Sequence, residues 1–200
     1  MFPLGSVLFP SIFLPLHVFE PRYRALARHC LDGDQEFGVV LIERGSEVGG
    51  DDVRTSVGTV ARIVEAAELD DGRWVLGTVG TRRIRVREWL PDDPYPKADV
   101  EDWDDVEPGA DAADAYTTVI SRLRRVLALK AELAEPAVDA TIELSDDPAL
   151  GSMQVAAVAP IGPADQQRLL QAQGPDDRLR LLDVLLAEES DYLAARLGMG

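Results

Sequence analysis

Lysine and cysteine are nearly missing from this chain of 200 residues, and several chemistries go with them. The two lysines, Lys97 and Lys130, are each followed by alanine, so a phosphate-cradling loop ending in Gly-Lys-Ser/Thr is excluded. A serine–lysine peptidase site would have to use one of the same two. Lys97 lies in a proline-rich turn and Lys130 on a helical pattern, and neither stands beside a serine in a glycine-rich context. No serine occupies a Gly-x-Ser-x-Gly elbow. The single cysteine, Cys30, excludes an internal disulfide and a multi-cysteine zinc centre. Histidine is equally scarce. His17, Glu20, His29 and Cys30 are the only set worth weighing as a metal site. His17-x-x-Glu20 is not a helical pair, however, because Pro21 opens the helix only afterwards, and Cys30 falls on the apolar helix face. The expectation is therefore two satisfied or surface histidines, a buried thiol, no catalytic residue, no metal and no cofactor: not an enzyme. No apolar run approaches the ~20 residues of a membrane span. Met1–Leu4 carries neither a basic segment nor a signal-peptide core, so a cytoplasmic location is expected, without membrane contact.

Positive charge is also in short supply. The formal net charge is −16, of which residues 1–100 carry −4 and residues 101–200 the remaining −12. Such a surface repels phosphate backbones and disfavours nucleic acid as a partner, although a local basic patch is not thereby removed. The preference for arginine over lysine points to a GC-rich bacterial genome.

What the chain does have is a decided pattern. From Leu14 to Leu31 a short extended piece between Pro15 and Pro21 gives way to apolar residues at helical spacing: Tyr23, Leu26, Ala27, Cys30 and Leu31. Pro21 suits the first helical position, and Gly33 is placed to end the helix. Leu16 and Phe19 are expected to anchor the strand, with Glu20 pairing with Arg22 or Arg24 at the junction. Phe37–Ile42 reads as a strand covered on both faces, and Arg44–Thr55 as a loop. Ser56–Leu69 reads as a long strand in which Gly58 marks a bulge or a close backbone approach. Asp71-Gly72 is a hairpin turn, Trp74–Thr78 runs back, and a further strand follows Gly80 through Arg87, with one more at Lys97–Trp103. Several strands and one early helix predict a small barrel or folded sheet. Glu101–Asp114 holds seven acids and no base. Beyond it, apolar residues at helical spacing predict four helices that pack on one another.

Two surfaces are candidates for binding. Arg83, Arg85 and Arg87 alternate with Ile84 and Val86, which reads as an RNA-facing strand or as one half of cross-strand ion pairs. The ion pairs are favoured, because no aromatic shares that face before Trp89. Ile12, Phe13 and Leu14 sit between two strand pieces and need cover, either from the helical half or from an unstructured apolar polypeptide.

The signature Phe2-Pro3-Leu4, Val7-Leu8-Phe9-Pro10 and Leu14-Pro15-Leu16-His17-Val18-Phe19-Glu20-Pro21-Arg22-Tyr23 resembles the N-terminal, substrate-binding domain of the Lon protease family. The likeness continues through Phe37–Val40, Val57–Ile63, Gly80–Val86 and the Gln166–Leu170 helix, nearly the whole chain. It implies an α+β fold: a PUA-like β-barrel over residues 1–104, an acidic linker over 105–114 and a helical bundle over 115–200. It further implies a non-catalytic, ATP-independent module for unfolded or partly folded polypeptides, with a protease or chaperone component as a further partner. The binding place is expected in an apolar cleft between barrel and bundle, with Ile12, Phe13 and Leu14 as contacts. Pro15, Leu16, Phe19, Glu20, Pro21, Arg22 and Tyr23 are expected to be structural. Neither the ATPase nor the peptidase signature of Lon enzymes occurs in these residues, so the resemblance is to stand-alone members and transfers no catalytic residue.

Overall fold

The computed structural model describes residues 1–45 and 52–198, so half of the loop expected at Arg44–Thr55 lies outside the described residues, and its last three residues, from Val53, belong to a strand. The chain forms two compact units, Met1–Asp104 and Asp105–Gly200.

The first unit is a mixed six-stranded sheet with one helix. Its strands are β1 (Phe2–Leu4), β2 (Phe13–Val18), β3 (Glu36–Arg44), β4 (Val53–Glu68), β5 (Trp74–Leu90) and β6 (Lys97–Asp102), and helix α1 is Pro21–Leu31. The order is β1-β3-β4-β5-β2, with β6 also on β5; β1 runs parallel to β3 and every other pairing is antiparallel. The two pieces expected on either side of Gly80 are one 17-residue strand. Gly80 does not end the strand. It makes room for a neighbour, since a Cβ there would lie 2.2 Å from the Phe9 carbonyl oxygen. The length of β5 lets its first half pair with β2 and its second with β6. Leu16, Val18, Phe37, Ile63 and Leu76 from the strands meet Tyr23, Leu26 and Ala27 of α1 in one core. The helix leaves by a different route than expected. Gln35, not Gly33, takes the left-handed conformation (φ 59°), and its N–H donates to the Cys30 carbonyl at 2.9 Å.

Outside the core, Glu36 accepts from Arg62 and Arg82, both at 2.7 Å, and Arg82 also reaches Asp102 at 2.9 Å. These four residues form a charged row across β3, β4, β5 and β6. The hydrogen bond from Arg82, opposed by partial burial and reinforced by Arg62, holds the Glu36 carboxyl below its ordinary 4.5. A carboxyl depressed in the folded state adds stability that is complete above its unfolded pKa and is lost as pH falls through the folded one. Glu36→Gln is therefore expected to cost about 1 kcal/mol at neutral pH, the scale of a half-exposed pair. Melting curves of the two proteins should draw together as the pH is lowered beneath 4.5.

The second unit packs α2 (Ala112–Glu132), α3 (Pro148–Val158), α4 (Pro163–Leu170) and α5 (Pro175–Gly198). Proline begins three of the four, and Asp147 caps α3 by accepting from the N–H groups of Ala149 and Leu150. Tyr116, Leu123 and Leu127 of α2 share the core with Leu179, Leu182, Leu186 and Leu193 of α5. The acidic stretch expected as a linker is tied to this unit. Asp105 binds Arg178 at 2.8 Å, the Val106 N–H donates to the Gln173 carbonyl at 3.1 Å, and the Gly109 N–H donates to Asp176 at 2.8 Å. One of its acids, Asp105, is thus a partner of α5.

Candidate functional site

Strand β2 is the last in the sheet order, hydrogen-bonded to β5 on one side and to no other strand among the described residues. Period-two alternation turns Leu16 and Val18 into the core and leaves Phe13, Pro15 and His17 outside. Phe13 is 55% exposed, its ring resting over Gly77 of β5, where an added Cβ would stand 3.2 Å from it. Ile12 and Leu14 pack against the core, so of these three only Phe13 is more than half exposed. Phe19, expected as an anchor beside Leu16, is instead 53% exposed. The reason is positional: it follows the outward parity of Phe13, Pro15 and His17, and the helix begins before the chain can turn it inward. Pro21 then starts α1, Arg22 pairs with Glu20 at 3.1 Å and lies 4.5 Å over the Tyr23 ring, and Tyr23 stacks on Phe2 with ring centroids 4.2 Å apart.

Two cavities flank this region. The first, about 160 Å³, is walled by Phe2 and Leu4 of β1 on one side and by Leu16 and Val18 of β2 on the other, with Tyr23 between them. His17 and Glu20 stand at the same cavity. The second, about 330 Å³, is bordered by His29, Cys30, Glu36 and Tyr95. His29 Nδ1 is hydrogen-bonded to the Tyr95 hydroxyl, and the Cys30 thiol donates to the Glu36 carbonyl at 3.3 Å. Burial pushes the Cys30 thiol up from its ordinary value, which keeps it protonated and a poor nucleophile. The four residues weighed as one metal site are thus divided between two cavities.

The arginine row is not a free basic face. Arg83 is only 4% exposed and lies 4.5 Å over the Trp103 ring, while Arg85 stacks on the same ring at 4.2 Å. Arg87 is paired with Glu101 at 2.7 Å across the β5–β6 ladder. Of the residues in the RNA-facing alternative, Arg83 is buried, whereas Arg85 and Arg87 are exposed. Two of the three guanidinium groups are engaged by an indole and the third by a carboxylate. The residue missed from the sequence is Trp103. It stands just past the end of β6, and its aromatic character among acids is the only sign.

Comparison with known proteins agrees with this geometry. The family model of the ATP-dependent protease La (LON) substrate-binding domain matches residues 1–188. The chain belongs to the Lon substrate-binding domain family. Among curated relatives, Lon protease 2 of Herpetosiphon aurantiacus is 28% identical over 196 residues, covering 95% of this chain and 23% of the relative. Lon protease 2 of Myxococcus xanthus is 30% identical over 193 residues, covering 94% and 23%. The chain therefore spans about a quarter of the length of these relatives. A Lon N-terminal domain protein from Xanthomonas campestris superposes with a TM-score of 0.62 at 30% identity, over 93% of this chain and 95% of that one. The N-terminal domain of the Lon protease of the Mycobacterium avium complex superposes at 0.68 with 15% identity, over 92% and 96%. The α+β architecture of a Lon N-terminal domain, a PUA-like sheet unit followed by helices, is thus that of this chain. No helix among the described residues is long and apolar enough to cross a membrane.

Proposed function

We propose that this chain is a cytoplasmic, non-catalytic binding module that takes up apolar segments of unfolded or partly folded polypeptides, in the company of a protease or chaperone component. The observation that carries the reading is the outward row of β2 and its continuation: Phe13 at the start of the strand and Phe19 just past its end, each more than half exposed, flank Pro15 and His17, which are paired with β5. Large apolar rings left in water on a fixed strand are unfavourable unless something covers them in use. Ile12 and Leu14 support the row from beneath, and the negative surface favours neutral or basic segments over acidic ones.

The test is titration of a fluorescently labelled, permanently unfolded polypeptide against the protein and its Phe13→Asp variant. An aromatic anchor at the centre of a contact accounts for tenfold or more in affinity. Phe13→Asp is expected to weaken binding by about that factor while lowering stability by no more than about 1 kcal/mol, because the ring is mostly in solvent. Absence of saturable binding, or full binding by a folded Phe13→Asp protein, would refute the reading.

A further inference from the structure

The free edge of β2 and the cavity beside it define how a polypeptide is held. In the antiparallel β2–β5 pair, the Gly80 N–H donates to the Ile12 carbonyl at 3.0 Å, and Leu14, Leu16 and Val18 follow Ile12 at the same parity, opposite Thr78, Leu76 and Trp74. Backbone groups of an antiparallel strand alternate between its two sides. Those of Phe13, Pro15 and His17 therefore point away from β5, toward the side where the described residues of this unit supply no ladder. Proline at position 15 is consistent with this, since an edge strand tolerates proline where its missing N–H faces outward. The cavity of about 160 Å³ is lined by the outward Pro15 and His17 of this edge as well as by Leu16 and Val18, with Phe2 and Leu4 of β1 and the polar Glu20 also at its wall. A cavity of roughly 150 Å³ accepts a benzene-sized apolar group.

We propose that an extended polypeptide segment adds to the edge of β2 as a further strand, hydrogen-bonding to Phe13, Pro15 and His17 and inserting one apolar side chain into this cavity. The proposal rests on the polypeptide-binding reading and adds its mode. In strand addition the main-chain bonds supply affinity with little regard to sequence, and the pockets for alternate side chains supply selectivity. The edge offers three carbonyls but only two N–H groups, because Pro15 has none. The cavity takes an apolar side chain, and the net negative charge of the chain disfavours acidic segments. The occupant is accordingly an apolar, neutral or basic segment whose side chains alternate in character. An amphipathic helix, which satisfies its own backbone, gains nothing from such an edge.

The probe is an acetylated, amidated and labelled peptide, Lys-Leu-Thr-Leu-Thr-Leu-Lys, compared with one analogue N-methylated on its leucines and one on its threonines. N-methylation removes donors from a single edge of an extended peptide. One of the two analogues is expected to bind at least tenfold more weakly and the other within about twofold of the parent: the threonine analogue is the weak one for antiparallel addition, the leucine analogue for parallel. Independently, His17→Pro, which removes the outward N–H without touching the β5 ladder, is expected to weaken the parent tenfold more than His17→Ala, which changes only the side chain. Equal affinities for both analogues, or equal losses, overturn strand addition. If the labelled unfolded polypeptide still binds in that case, the polypeptide-binding reading stands and only its mode is wrong. Failure of the parent peptide to bind also overturns the mode, and failure of the unfolded polypeptide as well removes both. Should His17→Pro not fold, the pair of methylated analogues decides alone.

Discussion

Replacing Arg178 with alanine is expected to destabilise the helical unit by about 3–5 kcal/mol, the cost of removing one member of a buried charged pair. Arg178 is the only fully buried charged side chain among the described residues, at 0% exposure. Its Nη2 donates to both carboxylate oxygens of Asp105 at 2.8 and 3.0 Å, its Nη1 to the Ser152 hydroxyl at 2.8 Å, and its Nε to the Leu169 carbonyl at 3.3 Å. One side chain on α5 thus joins α3, the end of α4 and the acidic stretch. Alanine would take the donor from Asp105, Ser152 and the Leu169 carbonyl and leave a void where the buried side chain lies. Each effect is unfavourable by itself, and they fall on the same place. Arg178→Lys is no remedy, because an ammonium cannot span the fork that Asp105 occupies. Arg178→Met combined with Asp105→Asn is expected to recover part of the loss, since it fills the void and removes the stranded carboxylate together. Urea unfolding followed by helical circular dichroism measures all four proteins. A loss below about 1 kcal/mol for Arg178→Ala would show that the network contributes little.

That network illustrates what the sequence does and does not disclose. Helix α1 was legible because proline, a helical apolar period and the change from a period of two occur within a few residues. The helical half was legible for the same reason, with proline at the start of three helices. Arg178 was not, although it lies at i and Leu182 at i+4 on the apolar stripe of α5. An arginine at such a place ordinarily extends its head to water, and only the fold brings Asp105 from 73 residues away to meet it. On β2 the difficulty was different. Leu14, Leu16 and Val18 make one face apolar, but Phe13 and Phe19 do the same for the other, and a period of two does not say which face goes inward. Phe19 was therefore expected inside and is outside. Gly80 was expected to break a strand because its role is to admit the Phe9 carbonyl, which local sequence does not show. The arginine row was read correctly in its preference for cross-strand pairing at Arg87, but Trp103 could not be foreseen as the partner of Arg83 and Arg85, since β6 had to be laid beside β5 first.

Gly58 is the opposite case, where local sequence and structure agree and the expected effect is large. It lies within β4, opposite Val40 on β3 and Ile84 on β5, close to a shift of register between Val40 and Ile42. A Cβ at Gly58 would come within 2.1 Å of the Val39 carbonyl oxygen and 2.8 Å of Val40 Cγ1. The first of these is backbone inside a ladder and has nowhere to go without breaking hydrogen bonds. Gly58→Ala is therefore expected to cost about 3 kcal/mol, the upper part of the range for overpacking, and Gly58→Val more. Gly77 supplies the control. It too is a buried strand glycine, but an added Cβ would meet the Phe13 ring at 3.2 Å and Glu65 Cβ at 3.3 Å, and the exposed ring can swing aside. Removing a glycine's freedom in the unfolded chain favours the folded state by about 0.4–1 kcal/mol where no clash opposes it. Gly77→Ala should accordingly stay within about 1 kcal/mol of the parent. A similar cost for both substitutions would mean that strand glycines here are needed for something other than the approach of β3. A large cost at Gly58 alone would place the constraint on the Val39 carbonyl. The same pair of variants bears on binding, since Gly77→Ala displaces the Phe13 ring without removing it, and its effect on polypeptide affinity should exceed its effect on stability.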